Sequence, residues 1–197
     1  MDGIVGAMKS EFRRTKLALN TGYLKSDREN NELYTPWYAV DPIIKYLPKD
    51  KIIWCPFDEE WSVFPRKLKE EGFNIVRSSL KEGQDFFTYE PEDWDLIISN
   101  PPFSMKDRVL KRLYEFDKPF AILLPLNSLQ GMMRFDYFKQ GVQMLTFDKR
   151  IGFHINKNFE TCESWSSFAT AYFCKDVLPN DLIIEKLIKY DKPIMTT

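Results

Sequence analysis

Short apolar runs alternate along this chain with longer stretches in which apolar residues recur at helical spacing, the rhythm of strands joined by helices. Lys51 to Trp54, Phe73 to Val76, Leu96 to Ser99, Phe120 to Leu124, Val142 to Phe147 and Ser167 to Cys174 read as strands. Phe168, Ala169, Ala171 and Phe173 are the apolar members of the last one. Ser62 to Glu71 reads as a helix, closed by Gly72 where a left-handed residue commonly ends the turn. Ser104 with Asp107 three residues on has the form of a helix cap, and Met105, Val109, Leu113 and Phe116 then share one face. Thr35 and Pro36 suit the cap and first residue of another helix, with Asp41-Pro42 recapping a second short one. Leu126 to Gly141 reads as a helical or irregular crossover, and Pro179-Asn180-Asp181 introduces a closing helix carrying Leu182, Ile183, Leu187 and Tyr190. Residues 1–33 read as a helical arm and linker: Phe12, Leu17 and Leu19 sit among Lys9, Arg13, Arg14 and Lys16, followed by the polar stretch Lys25 to Asn31. Such an arm is either an ordinary exposed helix or a basic segment lying on phosphate. The expected domain spans 34–197 and belongs to the α/β class.

The chemistry concentrates at Asn100-Pro101-Pro102-Phe103. Two prolines stop the strand, supply no N–H and push the preceding residue into extended geometry, so Asn100 is held at a strand's carboxyl end. In open α/β sheets the ligand crevice lies outside such ends. The Asn side-chain carbonyl and the peptide carbonyl of Pro101 are acceptors that can together hold both hydrogens of a planar amino group, on which the ring of Phe103 can stack.

Composition narrows the partners. With 28 basic and 29 acidic side chains the net charge is −1, so a nucleic-acid surface must be a local patch. No run reaches membrane-spanning length and the first residues do not read as a secretion signal, which leads us to expect a cytoplasmic protein with no membrane partner. Cys55, Cys162 and Cys174 are scattered, and with the single His154 they make no metal site of usual spacing, so no metal is expected. An aromatic content of 15% fits a large core or a base-stacking surface equally. No Gly-x-Gly-x-x-Gly follows any strand, which disfavours a nicotinamide enzyme.

The Asn100-Pro101-Pro102-Phe103 corner resembles the signature of the N6-adenine DNA methyltransferases that use S-adenosyl-L-methionine, in particular those of phages and mobile elements. The resemblance spans about residues 34–174. It implies a single Rossmann-like methyltransferase domain, with a mostly parallel sheet, an antiparallel last strand and helices on both faces. It assigns Asn100, Pro101, Pro102 and Phe103 to catalysis, and Tyr34 and Thr35 to the methionine end of the donor. Cys55, Pro56, Phe57 and Asp58 stand at the family's donor-binding turn; Cys55 replaces its Asp, and both its glycines are replaced, the second by Trp61. Asp85 and Phe86 match the contact to the donor's adenine, although an Asx turn beside core phenylalanines reads equally well from the residues alone. Arg150-Ile151-Gly152-Phe153 is similar to a pattern bordering the target pocket in phage enzymes. Lys106, Arg108, Lys149 and Arg150, with Arg112, Lys111 and Lys157 near them, are candidates for phosphate contact. The expected activity is methyl transfer to adenine N6 in DNA, favoured over RNA. The alternatives are a methyltransferase-like binding protein without catalysis, motivated by the altered glycine turn, or the same chemistry on RNA adenine or a protein glutamine. The oligomeric state is not readable from the chain.

Overall fold

In the computed structural model the described residues are 33–154 and 168–190. All of the expected N-terminal arm but Leu33, the polar loop 155–166 with Lys157 and Cys162, and the last seven positions lie outside them. In chain order the elements are α1 (Asp41–Ile44), β1 (Ile52–Cys55), α2 (Val63–Glu70), β2 (Asn74–Arg77), β3 (Leu96–Ser99), α3 (Lys106–Phe116), β4 (Phe120–Pro125), α4 (Met132–Phe138), β5 (Gln143–Phe147), β6 (Thr170–Lys175) and β7 (Leu182–Glu185). Short 3-10 turns lie at Trp37–Ala39, Leu80–Glu82, Phe103–Met105 and Leu126–Leu129.

The strands form one sheet in the order β2-β1-β3-β4-β6-β5-β7. From β2 to β4 all neighbours are parallel. β6 runs antiparallel to both β4 and β5, and β7 is parallel to β5. This is a single Rossmann-like α/β domain with a mixed sheet. The chain goes outward from β1 to β2, then returns to the other side of β1 for β3, so the order reverses between β1 and β3. The crevice outside their carboxyl ends is where this architecture seats ligands.

Strand periodicity divides the core in two. Ile53, Cys55, Leu96, Ile98, Ala121, Leu123, Tyr172 and Cys174 pack on one face with Trp37, Ile43, Phe64 and Leu68. Trp54, Ile97, Phe120, Ile122, Leu124, Ala171 and Phe173 pack on the other with Val109, Leu110 and Leu113 of α3. Each fully buried Leu, Ile, Val or Phe among them contributes about 1.5–3 kcal/mol before entropic cost. Gly72, at φ +78°, ends α2 as expected, with Gly72 N–H donating to Lys69 O and Phe73 N–H to Leu68 O, both at 2.9 Å.

Three expectations change. The closing segment is not a helix: Leu182–Glu185 forms β7, so the antiparallel strand β6 is not the last. Leu182, Ile183 and Ile184 alternate between exposed and half-buried, and Met144 N–H reaches Asp181 O at 2.7 Å along the sheet edge. Edge pairing prevails because adjacent β-branched residues lose side-chain freedom in a helix. α3 begins at Lys106 without a side-chain cap, after a 3-10 turn that leaves Met105 39% exposed. Asp107 forms an ion pair with Arg134 at 2.7 Å instead of completing a capping box. Finally, Thr35 is buried and caps nothing; Pro36 precedes a 3-10 turn rather than opening a helix.

Candidate functional site

β3 ends one residue before Asn100, at the carboxyl edge of the sheet. Ser99 and Pro101 are buried on either side, while Pro102 is exposed and Asn100 half-buried. The Asn100 Nδ2 donates to the Leu33 carbonyl at 3.2 Å. Since that carbonyl can only accept, the amide orientation is fixed by chemistry: the NH2 group faces Leu33 and the oxygen faces away. Leu33 is itself held by its neighbour, because Tyr34 and His154 exchange backbone hydrogen bonds of 2.9 and 3.0 Å. The Asn100 Oδ1 is buried and accepts nothing from the described residues. Leaving a buried acceptor unpaired costs about 1–3 kcal/mol. Phe103 sits half-buried in a ring cluster, edge-to-face with Phe153 at 6.1 Å and with Phe168 at 5.6 Å.

The turn after β1 is folded inward. Cys55 is fully buried, and burial pushes its thiol well up from its ordinary range. Its carbonyl accepts from Ser78 N–H at 3.0 Å, and Ser78 O accepts from Asp58 N–H at 3.2 Å, joining this turn to the end of β2. The Asp58 carboxylate is 6% exposed and accepts from the Ser99 hydroxyl at 2.6 Å. Burial raises its pKa to about 7, against the lowering effect of bonds from Ser99 and Ser62 and of the Arg77 charge. Asp58 thus ties β1 to the strand end that precedes Asn100. Phe57 packs on Phe86, ring centroids 4.7 Å apart, and Phe86 on Trp54 at 5.5 Å. Asp85 makes an Asx turn, its Oδ1 accepting from Phe87 N–H at 3.0 Å. Trp61 lies 5.3 Å from the ring of Tyr34, beside the segment that holds Asn100.

The four predicted catalytic residues are contiguous, and Tyr34 and Thr35 are brought to them through Leu33. The Cys55–Asp58 turn reaches them through Ser99, whereas Phe86 belongs to the core of the opposite face. Lys106 Nζ lies 3.5 Å from Phe103 O, next to the corner. The Arg108 guanidinium covers the Phe87 ring at 3.9 Å, while Arg112 donates to Phe87 O and Tyr89 O, so both brace the loop after β2. Lys149 and Arg150 are exposed on the segment leading through buried Ile151 and Phe153 to His154. The sequence does not mark Ser99, Leu33 and Phe168 as neighbours of the corner, and it marks Trp61 only as the replacement of a glycine in the turn after β1; Ser99, adjacent to Asn100, carries a local signal. Among the described residues no three His, Cys, Asp or Glu side chains converge as metal ligands.

Two further hydroxyls at the carboxyl rim, Ser128 Oγ after β4 and Thr170 Oγ1 opposite Pro125, are buried without a hydrogen-bond partner among the described residues. Thr170→Val is therefore expected to hold or raise stability, by up to about 1 kcal/mol in urea unfolding, since it removes an unpaired polar atom at constant shape. A loss of about 2 kcal/mol or more would show that the hydroxyl is paired in solution. A separate cleft of about 470 Å³ lies at the other end of the sheet, lined by Lys51, Asp95, Lys118 and Pro119 among others, away from the corner.

No family model matches the sequence. No curated protein sequence matches it either. Among solved structures, a dimethyladenosine transferase from Plasmodium falciparum aligns with a TM-score of 0.45 at 11% identity, over 73% of this chain and 62% of that one. The chain thus spans less than two thirds of the length of that transferase.

Proposed function

We propose that this domain transfers a methyl group from S-adenosylmethionine to the exocyclic amine of adenine in nucleic acid, with DNA as the first acceptor and RNA as the second. The observation that carries the reading is the unpaired, buried Asn100 Oδ1 at the rigid end of β3. An adenine amine is a weak nucleophile because its lone pair is delocalised into the ring. Accepting its two N–H bonds at Asn100 Oδ1 and the Pro101 carbonyl favours a more tetrahedral nitrogen with an available lone pair, so the contribution of the corner is positioning and electrostatics. Phe103 would stack on the base once it leaves its helix. When bound, S-adenosylmethionine supplies an electrophilic methyl on sulfur. Tyr34, Thr35, the Cys55-Pro56-Phe57-Asp58 turn and Asp85 with Phe86 are the residues that would hold it. They fit in part: Tyr34 and Asp85 are half-buried, while Cys55 is fully buried and Asp58 is turned onto Ser99. Lys106, Arg108, Lys149 and Arg150 would meet phosphate, and the Arg150-Ile151-Gly152-Phe153 pattern supports placing DNA first.

The inward turn favours one rival, a binding protein of the same fold without catalysis. Calorimetry with S-adenosylhomocysteine, followed by transfer of labelled methyl to DNA oligonucleotides, tRNA and rRNA, separates the two. Heat of binding with label on an adenine amine is the expected result. No heat and no label on any polymer would leave the rival standing.

A further inference from the structure

Beside the corner the protein exposes a ridge of large apolar side chains: Met132 is 94% exposed, Met133 73%, Phe135 65% and Leu129 44%. Exposed apolar groups clustered in this way mark interaction surfaces. The ridge is also built to hold its shape. Arg134, in its midst, donates to Asp107 at 2.7 Å, to Ser128 O at 2.5 Å and to Gln130 O at 2.9 Å. Gly131 lets the guanidinium in, because a Cβ there would stand 2.8 Å from its carbon. Asp107 is the second residue of α3, four positions beyond Phe103, so the pinned ridge stands on the rim that carries Asn100. Farther along, Tyr137 stacks on Tyr114 at 5.6 Å and fastens the rest of α4 to α3.

The charge around the ridge selects the occupant. The segments that flank the ridge, 104–108 and 126–139, contain four Lys or Arg against two Asp or Glu, in a chain whose net charge is −1. Both acids are paired, Asp107 with Arg134 and Asp136 with Lys139. Arg108 remains exposed on the same helix as Lys106. A cationic field around flexible thioether and phenyl groups suits a polyanion whose interior is apolar.

We propose that Met132, Met133 and Phe135 form a wedge that enters the base stack of a nucleic-acid duplex and fills the gap left by the adenine taken up at Asn100. This rests on the proposed acceptor chemistry and extends it to how the base is obtained. Apolar side chains inserted between base steps unstack them, and extrusion of a base is otherwise paid for in full by the enzyme's other contacts. The wedge acts on duplexes and is dispensable on single strands.

The test compares the full chain with Met132→Asp/Met133→Asp and with Phe135→Asp. All three sites are exposed, so folding is expected to survive and is checked by thermal unfolding. Each protein is titrated with a duplex bearing 2-aminopurine next to an adenine and with the corresponding single strand. The wild type is expected to bind both and to raise duplex fluorescence as the base unstacks. The variants are expected to lose about tenfold or more in duplex affinity together with the fluorescence rise, and to keep single-strand affinity within about twofold. Equal weakening on both strands, or none on the duplex, would overturn the wedge. So would a fall from dimer to monomer in sedimentation with duplex binding intact, which would assign the ridge to a second copy of this chain. Methyl transfer to the single strand is followed in parallel. If transfer persists while the duplex result fails, only the wedge is lost; if wild type neither binds nor modifies any strand, the acceptor chemistry falls with it.

Discussion

Asn100→Ala is expected to reduce labelled methyl transfer by about 10²–10³-fold or more, the scale seen when one preorganised electrostatic contact to a reacting group is removed. Its stability should barely move. The substitution gives up one hydrogen bond to Leu33 O, worth about 1 kcal/mol net, and at the same time deletes a buried unpaired oxygen that costs about as much. Asn100→Asp should behave differently: it keeps acceptor oxygens but sets one against the Leu33 carbonyl, so it is expected to lose both activity and about 1–3 kcal/mol of stability. Incorporation of label on adenine oligonucleotides, read beside thermal unfolding, checks activity and stability of both variants. Transfer by Asn100→Ala at the wild-type rate would remove the corner from the chemistry.

A second large effect is expected in the pH dependence of unfolding. The Asp58 carboxyl, raised by burial from 3.8 to about 7, keeps its proton in the folded chain where the unfolded chain has already released it. Between roughly pH 4 and 7 the folded state binds more protons, so this group's contribution to stability is complete below pH 4 and declines as pH rises through about 7. The loss amounts to at most about 4 kcal/mol, since the folded and unfolded carboxyls titrate roughly three pH units apart and each pH unit is worth about 1.36 kcal/mol. Asp58→Asn cannot titrate and can still accept from Ser99. It is expected to be more stable than wild type at pH 8 and to flatten the curve across this window. Urea unfolding of both proteins at pH 5, 6, 7 and 8 isolates this carboxyl, since every other group is shared. Parallel curves for the two proteins would mean that Asp58 is solvated in solution.

The same carboxylate shows where reading the chain stops. Its presence one position after Phe57 is visible in the sequence, and the loss of both glycines from the turn is visible too. What is not visible is that the turn then folds inward, so that Asp58 meets Ser99 from a strand 41 residues away. Similarly, the Asx turn read as one possibility at Asp85 forms in the structure, its Oδ1 accepting from the Phe87 N–H at 3.0 Å. Local competition of this kind is settled by which acceptor a backbone N–H reaches first, and spacing alone does not contain that information. The misread closing segment has the same origin: Leu182 to Glu185 is a strand only because the edge of β5 is there to pair with it.

From its sequence alone this protein could be recognised as an α/β chain with a buried strand ending at Asn100-Pro101-Pro102-Phe103, because proline geometry and strand periodicity are local and need no partner to act. Only the tertiary structure decided that the Leu33 carbonyl would take the amide's hydrogens and leave Oδ1 unpaired, and that Arg134 would pin an apolar ridge beside it. These outcomes join residues 67 and 27 positions apart. They depend on which strands become neighbours, and that is set by the packing of both sheet faces at once.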